Sequence, residues 1–368
     1  MNNPRFKGLS LFANVGISET YFHDTDVKIE VANELIKDRA EFYKELYPGV
    51  NMISGDITDD KVYNNIVTTS LKKQVDFILA TPPCQGMSMA NAKRADKDDP
   101  RNSLIKKVIQ ITKKLNPKYV LIENVPGMAS EKVFIFGENG EKTNILPYIN
   151  LKLGNSYNIE CQVMNAADYK TPHNRKRLIL LISRKDVGLW RHPKPIKEKT
   201  TVREAIGHLP SLESGQDSNI KWHSMKYKIH NKNHIKWIEN TPSGSTAFDN
   251  PVHFPQIIDK NTGLLRKIKG FRTTYKRMDW DKVAPTVTMM NGSINSQNNC
   301  HPGRLLPNGL YSDARVLTIK ELLFIVGLPK NWVDSYEHTQ KRENFLRKVI
   351  GECFPPKMSK IIIENIPK

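Results

Sequence analysis

The chain reads as an α/β protein, a doubly wound, mostly parallel sheet followed by a second, smaller domain of irregular build. Three observations predict this. Through the first 185 residues, short apolar, β-branched runs alternate with segments of helical period, the pattern of parallel strands covered on both faces. The alternation stops after "HPKPIKEKT", and residues 191 to 312 are rich in Pro, Gly, Asn, Ser and Thr, the profile of a loop-built domain. Finally, 368 residues are more than one core usually serves.

The elements follow in order. "GLSLFA" is a strand, "ISETYF" is helix-like, and "VKIEVA" is a second strand, followed by the helix "NELIKDRAEFYKELY". "NMISGDI" and "VDFILATPP" are strands separated by the helix "KVYNNIVTTSLKK". The helix "SLIKKVIQITKKL" leads to the strand "KYVLIENV", and "RLILLIS" is one more strand. Past the irregular region, "SDARVLTIKELLFIVGLP" predicts a helix opened by a Thr318–Glu321 capping box and closed near Gly327 and Pro329. "PPKMSKIIIENI" closes the chain as an amphipathic helix.

Composition narrows the function classes. No stretch approaches the roughly 18 apolar residues of a membrane span, and the first residues lack the order of a signal peptide, so an intracellular protein is expected. Cys84, Cys161, Cys300 and Cys353 form no Cys-x-x-Cys pair, which argues against a zinc ribbon and a disulfide framework. His230 and His234 share a helix spacing but have no acidic or thiol partner in register, so they read as a solvated loop and no metal is expected. The net charge is +18, and between Arg184 and Trp280 there are 19 basic and 9 acidic residues. Such a surplus fits either a generally basic surface or a polyanion partner. Trp222, Tyr227 and Trp237 interleave with it and suit a nucleic-acid face or a small core equally.

In doubly wound folds ligands bind beyond the carboxyl ends of the strands, and the unusual residues cluster there. "SLFANVGISE" turns from strand to helix at Gly16 with one glycine where a dinucleotide fingerprint has three. Glu34, twenty residues after Asn14, ends the second strand, where a carboxylate can accept both hydroxyls of a ribose. Asp56 and Ile57 offer an acceptor for an exocyclic amine and an apolar wall for a flat ring. Ribose and adenine without a phosphate cradle describe S-adenosylmethionine better than a dinucleotide. Cys84 stands just past the fourth strand, stiffened by Pro82 and Pro83, whose φ is fixed near about −65°, and a small-residue loop with Gly86, Ser88 and Ala90 follows. An exposed strand-end thiol is where a nucleophile belongs, and it needs a partner, because at a pKa of about 8.5 little thiolate exists near neutrality. Glu123, ending the next strand, is a candidate proton donor if burial raises its pKa. Arg175 and Arg177, alternate residues at a strand entrance, point the same way.

The order of motifs "FANVG", "NE", "GDI", "PPCQG" with "DDPRN", "ENV", "NRKR", "ARVLTIKELLFIVGLP" and "IGECFPP" resembles the DNA (cytosine-5) methyltransferases of bacterial restriction-modification systems, outside residues 190 to 275. The resemblance implies the Rossmann-like fold of S-adenosylmethionine-dependent methyltransferases, with residues 1–190 and 340–368 as the catalytic domain and 191–339 as the smaller domain. The target recognition region would span about 191–312. It also implies that Cys84 adds to carbon 6 of a flipped-out cytosine, that Glu123 protonates ring nitrogen 3, and that Arg177 holds the carbonyl oxygen with Arg175 in support. Phe12, Ala13, Asn14, Gly16, Glu34, Leu35, Asp56, Ile57, Pro83 and Leu104 would line the cofactor pocket. Gln85, Ser88 and Arg101 would touch the DNA. The implied setting is a bacterial cytoplasmic monomer acting on double-stranded DNA, nucleoid-associated when bound, with any cognate restriction endonuclease acting separately.

The chain departs from the family pattern in four places. Asn14 and Ile17 stand where glycines are usual, so the first loop must find another backbone route; His173 replaces a glutamine, Glu352 an asparagine, and Glu30 rivals Glu34 for the ribose. Two other readings stand beside the leading one. An RNA cytosine-5 methyltransferase would share the chemistry, although the Cys-Phe-Thr element of the tRNA-methylating branch is missing from the sequence. A catalytically silent DNA-binding relative is the other, against which the intact Cys84, Glu123 and Arg177 speak.

Overall fold

The structure is a computed structural model that describes residues 4–83, 104–137, 140–259 and 261–368. It divides into two compact units, one of residues 1–165, 176–195 and 356–368 and one of residues 166–175 and 196–355.

The first unit is built on strands β1 (Phe6–Leu11), β2 (Val27–Glu34), β3 (Asn51–Ser54), β4 (Phe77–Ala80) and β5 (Tyr119–Asn124). A small hairpin of β6 (Phe134–Phe136) and β7 (Lys142–Asn144) precedes β8 (Tyr157–Asn165) and β9 (Lys176–Arg184). The seven-stranded sheet has the order β3-β2-β1-β4-β5-β9-β8. Its first five strands are mutually parallel, whereas β9 runs antiparallel to β5 and to β8. The order reverses between β1 and β4, which opens a crevice at their carboxyl ends. Helices α1 (Lys37–Leu46), α2 (Asp60–Lys72), α3 (Leu104–Leu115), α4 (Ile145–Leu153) and the terminal α9 (Pro356–Glu364) belong to the same unit.

Why these residues form these elements is visible in the burial. Every residue of β4 and β5 is buried, as expected of central strands covered on both faces. On α3, Ile105, Val108, Ile109, Ile111 and Leu115 recur at helical spacing and pack into one core with Leu9, Leu11, Ile78, Val120 and Ile122. Each such side chain contributes about 1.5–3 kcal/mol by leaving water. Asp59 caps α2 by accepting from the backbone N–H groups of Lys61 and Val62 at 2.8 and 3.1 Å. The helix expected to begin at Asn33 starts only at Lys37, because Asn33 and Glu34 complete β2. "ISETYF" forms two short 3₁₀ turns rather than one helix.

The second unit has little regular structure, with α5 (Val202–Ile206), α6 (Lys232–Glu239), the ribbon of β10 (Gln256–Ile258) and β11 (Leu265–Lys267), α7 (Ile319–Val326) and α8 (Gln340–Glu352). Buried loops must pair their carbonyl groups. Arg277, almost wholly buried, does this for five of them, donating to the carbonyl oxygens of Ile238, His301, Tyr311, Ser312 and Asp313 at 2.8–3.2 Å. Burial lowers its pKa to about 10. The Thr318–Glu321 capping box and the Gly327 stop of α7 form as the sequence predicts. Trp222 and Trp237 prove to be core residues: the Trp222 indole N–H donates to the Val333 carbonyl at 2.7 Å, and Trp237 packs with Met225, Phe248 and Tyr275. His230 and His234 are not a solvated loop. His230 accepts from the backbone N–H of Val316 at 3.3 Å, and His234 lies on α6 against Trp237 and Tyr275.

Candidate active site

The antiparallel turn of β9 decides the site. Because β9 enters where β5 leaves, its first residues lie on the edge of the sheet from which β1 to β5 deliver their loops. Glu123 pairs in register with Ile179 and Asn124 with Leu178, so Arg177 reaches Glu123. Arg177 Nε donates to Glu123 Oε1 at 2.6 Å, with both side chains close to nine-tenths buried, a charge-assisted contact in a sheltered place. Beside it the ends of β4 and β5 are clasped by the Asn124 side-chain amide, which donates to the Pro82 carbonyl at 3.1 Å. The described chain continues from this clasp only as far as Pro83. Cys84 itself, with Gln85, Ser88 and Arg101, lies outside the described residues.

Arg175 belongs elsewhere. It precedes β9, so the alternation of a strand does not extend to it, and it lies buried in the second unit with Nη1 on the Val287 carbonyl at 3.1 Å. His173, in place of the family's glutamine, accepts from the Val287 N–H at 2.8 Å. Together they hold the segment around Val287.

Across the switch point, the first loop takes the route that the missing glycines left open. Phe12, Asn14 and Gly16 all have positive φ, at 58°, 51° and 75°. Asn tolerates this region better than most residues, so Asn14 does in part what a glycine would do. At Gly16 nothing else fits, since a Cβ there would meet Tyr47 Cε2 at 2.4 Å and Tyr43 Cε2 at 2.8 Å. Glu34 ends β2 beneath this loop, its Oε2 accepting from the Asn14 N–H and its Oε1 from the Ile36 N–H, each at 2.8 Å. Both oxygens keep a lone pair for a further donor. Glu30 is instead tied to Lys28 at 2.7 Å, in mid-strand, which removes it as a ribose ligand. Asp56 is exposed, with Oδ1 held by the Thr58 N–H and hydroxyl, and Ile57 is buried beside it. Phe12 and Leu104 pack partly buried on the core, Ala13 is buried, and Leu35 is exposed.

Two groups that sequence reasoning passed over support the loop. Thr81 donates its hydroxyl to the Phe12 carbonyl at 3.0 Å and its N–H to the Leu11 carbonyl at 3.2 Å, joining β1 to β4. Beneath, Glu19 is fully buried and accepts from the hydroxyls of Ser10, at 2.5 Å, and Tyr43, while Tyr47 donates to the Gly16 carbonyl at 2.7 Å. Burial pushes the Glu19 pKa up to about 7, against the two hydroxyl bonds. Flanked by Ser18 and Thr20, Glu19 carried no local signal of its burial.

The buried Oδ1 of Asn14 has no hydrogen-bond partner, a polar atom that needs a donor, and the carboxylates of Glu34 and Asp56 are spaced along the same strand ends. Fold and site thus define a doubly wound α/β protein with an acid–guanidinium couple at the strand ends. The comparisons name the family. The model for C-5 cytosine-specific DNA methylases matches residues 6–368, and the chain belongs to that family. It is 43% identical over 98% of its length to the type II methyltransferase M1.HgaI of Avibacterium volantium, covering 97% of that protein. It is 32% identical to M.NgoPII of Neisseria gonorrhoeae over all of its length, covering 96% of that protein. Among solved structures, a prophage-encoded chain from E. coli superposes with a TM-score of 0.67 at 19% identity, each chain covered to 98%. The Spodoptera frugiperda DNMT2 reaches 0.62 at 17% identity, with 97% of this chain and 99% of that one covered. The protein is accordingly an S-adenosylmethionine-dependent enzyme that methylates carbon 5 of cytosine in DNA.

Proposed function

We propose that the chain is the modification enzyme of a type II system in the bacterial cytoplasm, methylating a cytosine extruded from a specific duplex sequence, with the cognate endonuclease acting separately. The observation that carries this is the Glu123–Arg177 couple, held at 2.6 Å beside the end of β4. It matches the two polar edges of a cytosine. As the pair opens to receive the base, Glu123 takes up a proton from solvent and gives it to ring nitrogen 3, while Arg177 donates to the neighbouring carbonyl oxygen. Nitrogen 3 then draws electrons from the ring, and Cys84, losing its proton, bonds to carbon 6 and leaves carbon 5 nucleophilic. S-adenosylmethionine supplies the methyl group as an electron-poor sulfonium carbon. Carbon 5 afterwards loses its proton to water, the bond from Cys84 to carbon 6 breaks with its electrons returning to sulfur as thiolate, nitrogen 3 returns its proton to Glu123, and the aromatic ring is restored.

Glu34 holds the cofactor's ribose hydroxyls through its two spare lone pairs. Asp56 and Ile57 take the adenine, and the first loop from Phe12 to Gly16, with Leu35, Pro83 and Leu104, encloses the rest. Gln85, Ser88 and Arg101 touch the DNA. Residues 191 to 312 carry target recognition.

The test is transfer of tritiated methyl groups to duplex DNA and to tRNA in parallel. Transfer to duplex alone is expected, and transfer to tRNA alone overturns the reading in favour of an RNA enzyme. Cys84→Ser should bind duplex without methylating it. Glu123→Gln should lower kcat by about 10²–10⁴-fold with DNA binding retained; activity within threefold of wild type rejects its proton-donor role.

A further inference from the structure

We propose that the β10–β11 ribbon of the second unit is the element that enters the major groove of the duplex and reads bases beside the target cytosine. The inference rests on the reading that the substrate is duplex DNA, and it assigns the reading residues.

The ribbon carries aliphatic side chains on both faces, among polar and charged ones, and these aliphatics are exposed. The pairs Gln256–Lys267, Ile257–Arg266 and Ile258–Leu265 fix its register. Residues directly opposite share a face, so Ile258 and Leu265 stand on one side and Ile257 with Arg266 on the other. Ile258, Leu264 and Leu265 are 65%, 70% and 64% exposed. A two-stranded ribbon with aliphatic side chains on its surface is costly in water unless something covers it.

Charge names the cover. Leu264 to Arg272 hold Arg266, Lys267, Lys269 and Arg272 and no acidic residue; Arg266 pairs with Asp259 and Arg272 with Asp249, and the basic groups still outnumber these carboxylates, a surplus that suits a polyanion. Its dimensions agree, since the major groove of B-form DNA admits a two-stranded ribbon and presents thymine methyl groups to aliphatic side chains. The base of the ribbon is anchored where its tip is not. Lys267 Nζ donates to the Phe248 carbonyl at 3.1 Å, the Ile268 N–H donates to the Pro255 carbonyl at 3.0 Å, and Ile268 packs on the core of the unit. At the tip, Asp259 accepts from the N–H groups of Asn261 and Thr262 and pairs with Arg266 at 2.9 Å, so the ribbon keeps its shape while standing out from the core.

The full-length enzyme is assayed on its methylation site and on single-base variants of that site, mapped by bisulfite sequencing of a random-sequence library. Ile258→Ala combined with Leu265→Ala should lower kcat/KM on the cognate site by about tenfold to a hundredfold while leaving the rate on poor sites unchanged, so discrimination falls at particular positions. Lys269→Ala combined with Arg272→Ala should weaken binding to all duplexes alike and reduce the slope of log affinity against log salt by about 2. Unchanged site preference in the first variant, or a ribbon-dependent dimer in sedimentation, overturns the proposal. A wild-type enzyme that methylates no duplex removes the substrate reading and the ribbon assignment together, whereas unchanged preference alongside normal duplex methylation removes only the ribbon.

Discussion

Glu19 shows how one residue sets a condition on the cofactor loop. It is buried against two hydroxyls rather than a cation, Ser10 on β1 and Tyr43 on α1, with Tyr47 bonded to Gly16 on the same helix. Its folded pKa of about 7 lies above the ordinary 4.5. Below pH 4.5 the carboxyl is protonated in both states and burial costs nothing through charge. As pH rises from 4.5 to 7 the unfolded chain releases its proton and the folded chain retains it, so stability declines through that window and levels off above it. The loss is of the order of 3 kcal/mol. Glu19→Gln should therefore leave stability nearly as it is at pH 4.5 but raise it relative to wild type at pH 8. Urea unfolding of both proteins at the two pH values measures this, and a difference that does not grow with pH would show that the carboxyl ionises freely in place. Its partner Tyr43 lies close to Tyr47, which bonds the Gly16 carbonyl, so the sequence motifs mark the first loop without revealing what stiffens it.

Among the elements, the capped helix α7 was legible in advance because its signals are local. Thr318 and Glu321 are three residues apart, and a glycine follows the last turn. What the spacing did not show is that Glu321 serves two masters. Its Oε2 accepts from the Thr318 N–H at 2.7 Å and from Arg315 Nη1 at 2.8 Å, and Arg315 Nη2 reaches Asp313 at 2.7 Å, all buried. Burial opposes the charge on Glu321, but Arg315 and His301 outweigh it and hold its pKa down to about 2. Thr318→Ala should cost about 1 kcal/mol, the value of a cap. Glu321→Ala should cost about 3–5 kcal/mol, because it also removes one of the two carboxylates that balance a buried guanidinium. Denaturant midpoints compare the two, and equal losses would mean that the ion pair contributes nothing beyond the cap. Strand direction was not legible for a related reason. A fully buried run such as "RLILLIS" has the same pattern whichever way it runs, so its antiparallel entry, which brings Arg177 to Glu123, follows from the sheet order alone. Nor did β8 declare itself, since at the sheet edge its residues are half exposed and mixed in type. The five carbonyls gathered by Arg277 come from separated segments, and nothing near position 277 announces them.

At the scale of the whole molecule the question is where an excess charge of +18 is used. The tryptophans among the basic residues from Arg184 to Trp280 are core, so the basic groups there are not a by-product of an aromatic binding face; they belong to a folded unit with an apolar core of its own. If that surplus is a phosphate footprint, each neutralised phosphate releases counterions and affinity falls with salt in proportion. With six to ten contacts, binding to non-cognate duplex should fall by about 10³–10⁵-fold between about 50 and 200 mM salt. If Glu34 and the first loop hold the cofactor by hydrogen bonds, as proposed, its affinity should change by less than tenfold over the same range. Fluorescence anisotropy on labelled duplex and equilibrium dialysis with the cofactor give the two curves. A slope of log affinity against log salt shallower than about −3 would correspond to fewer than four phosphates, too few to occupy the basic surplus of the second unit, and would place the use of that charge somewhere other than DNA.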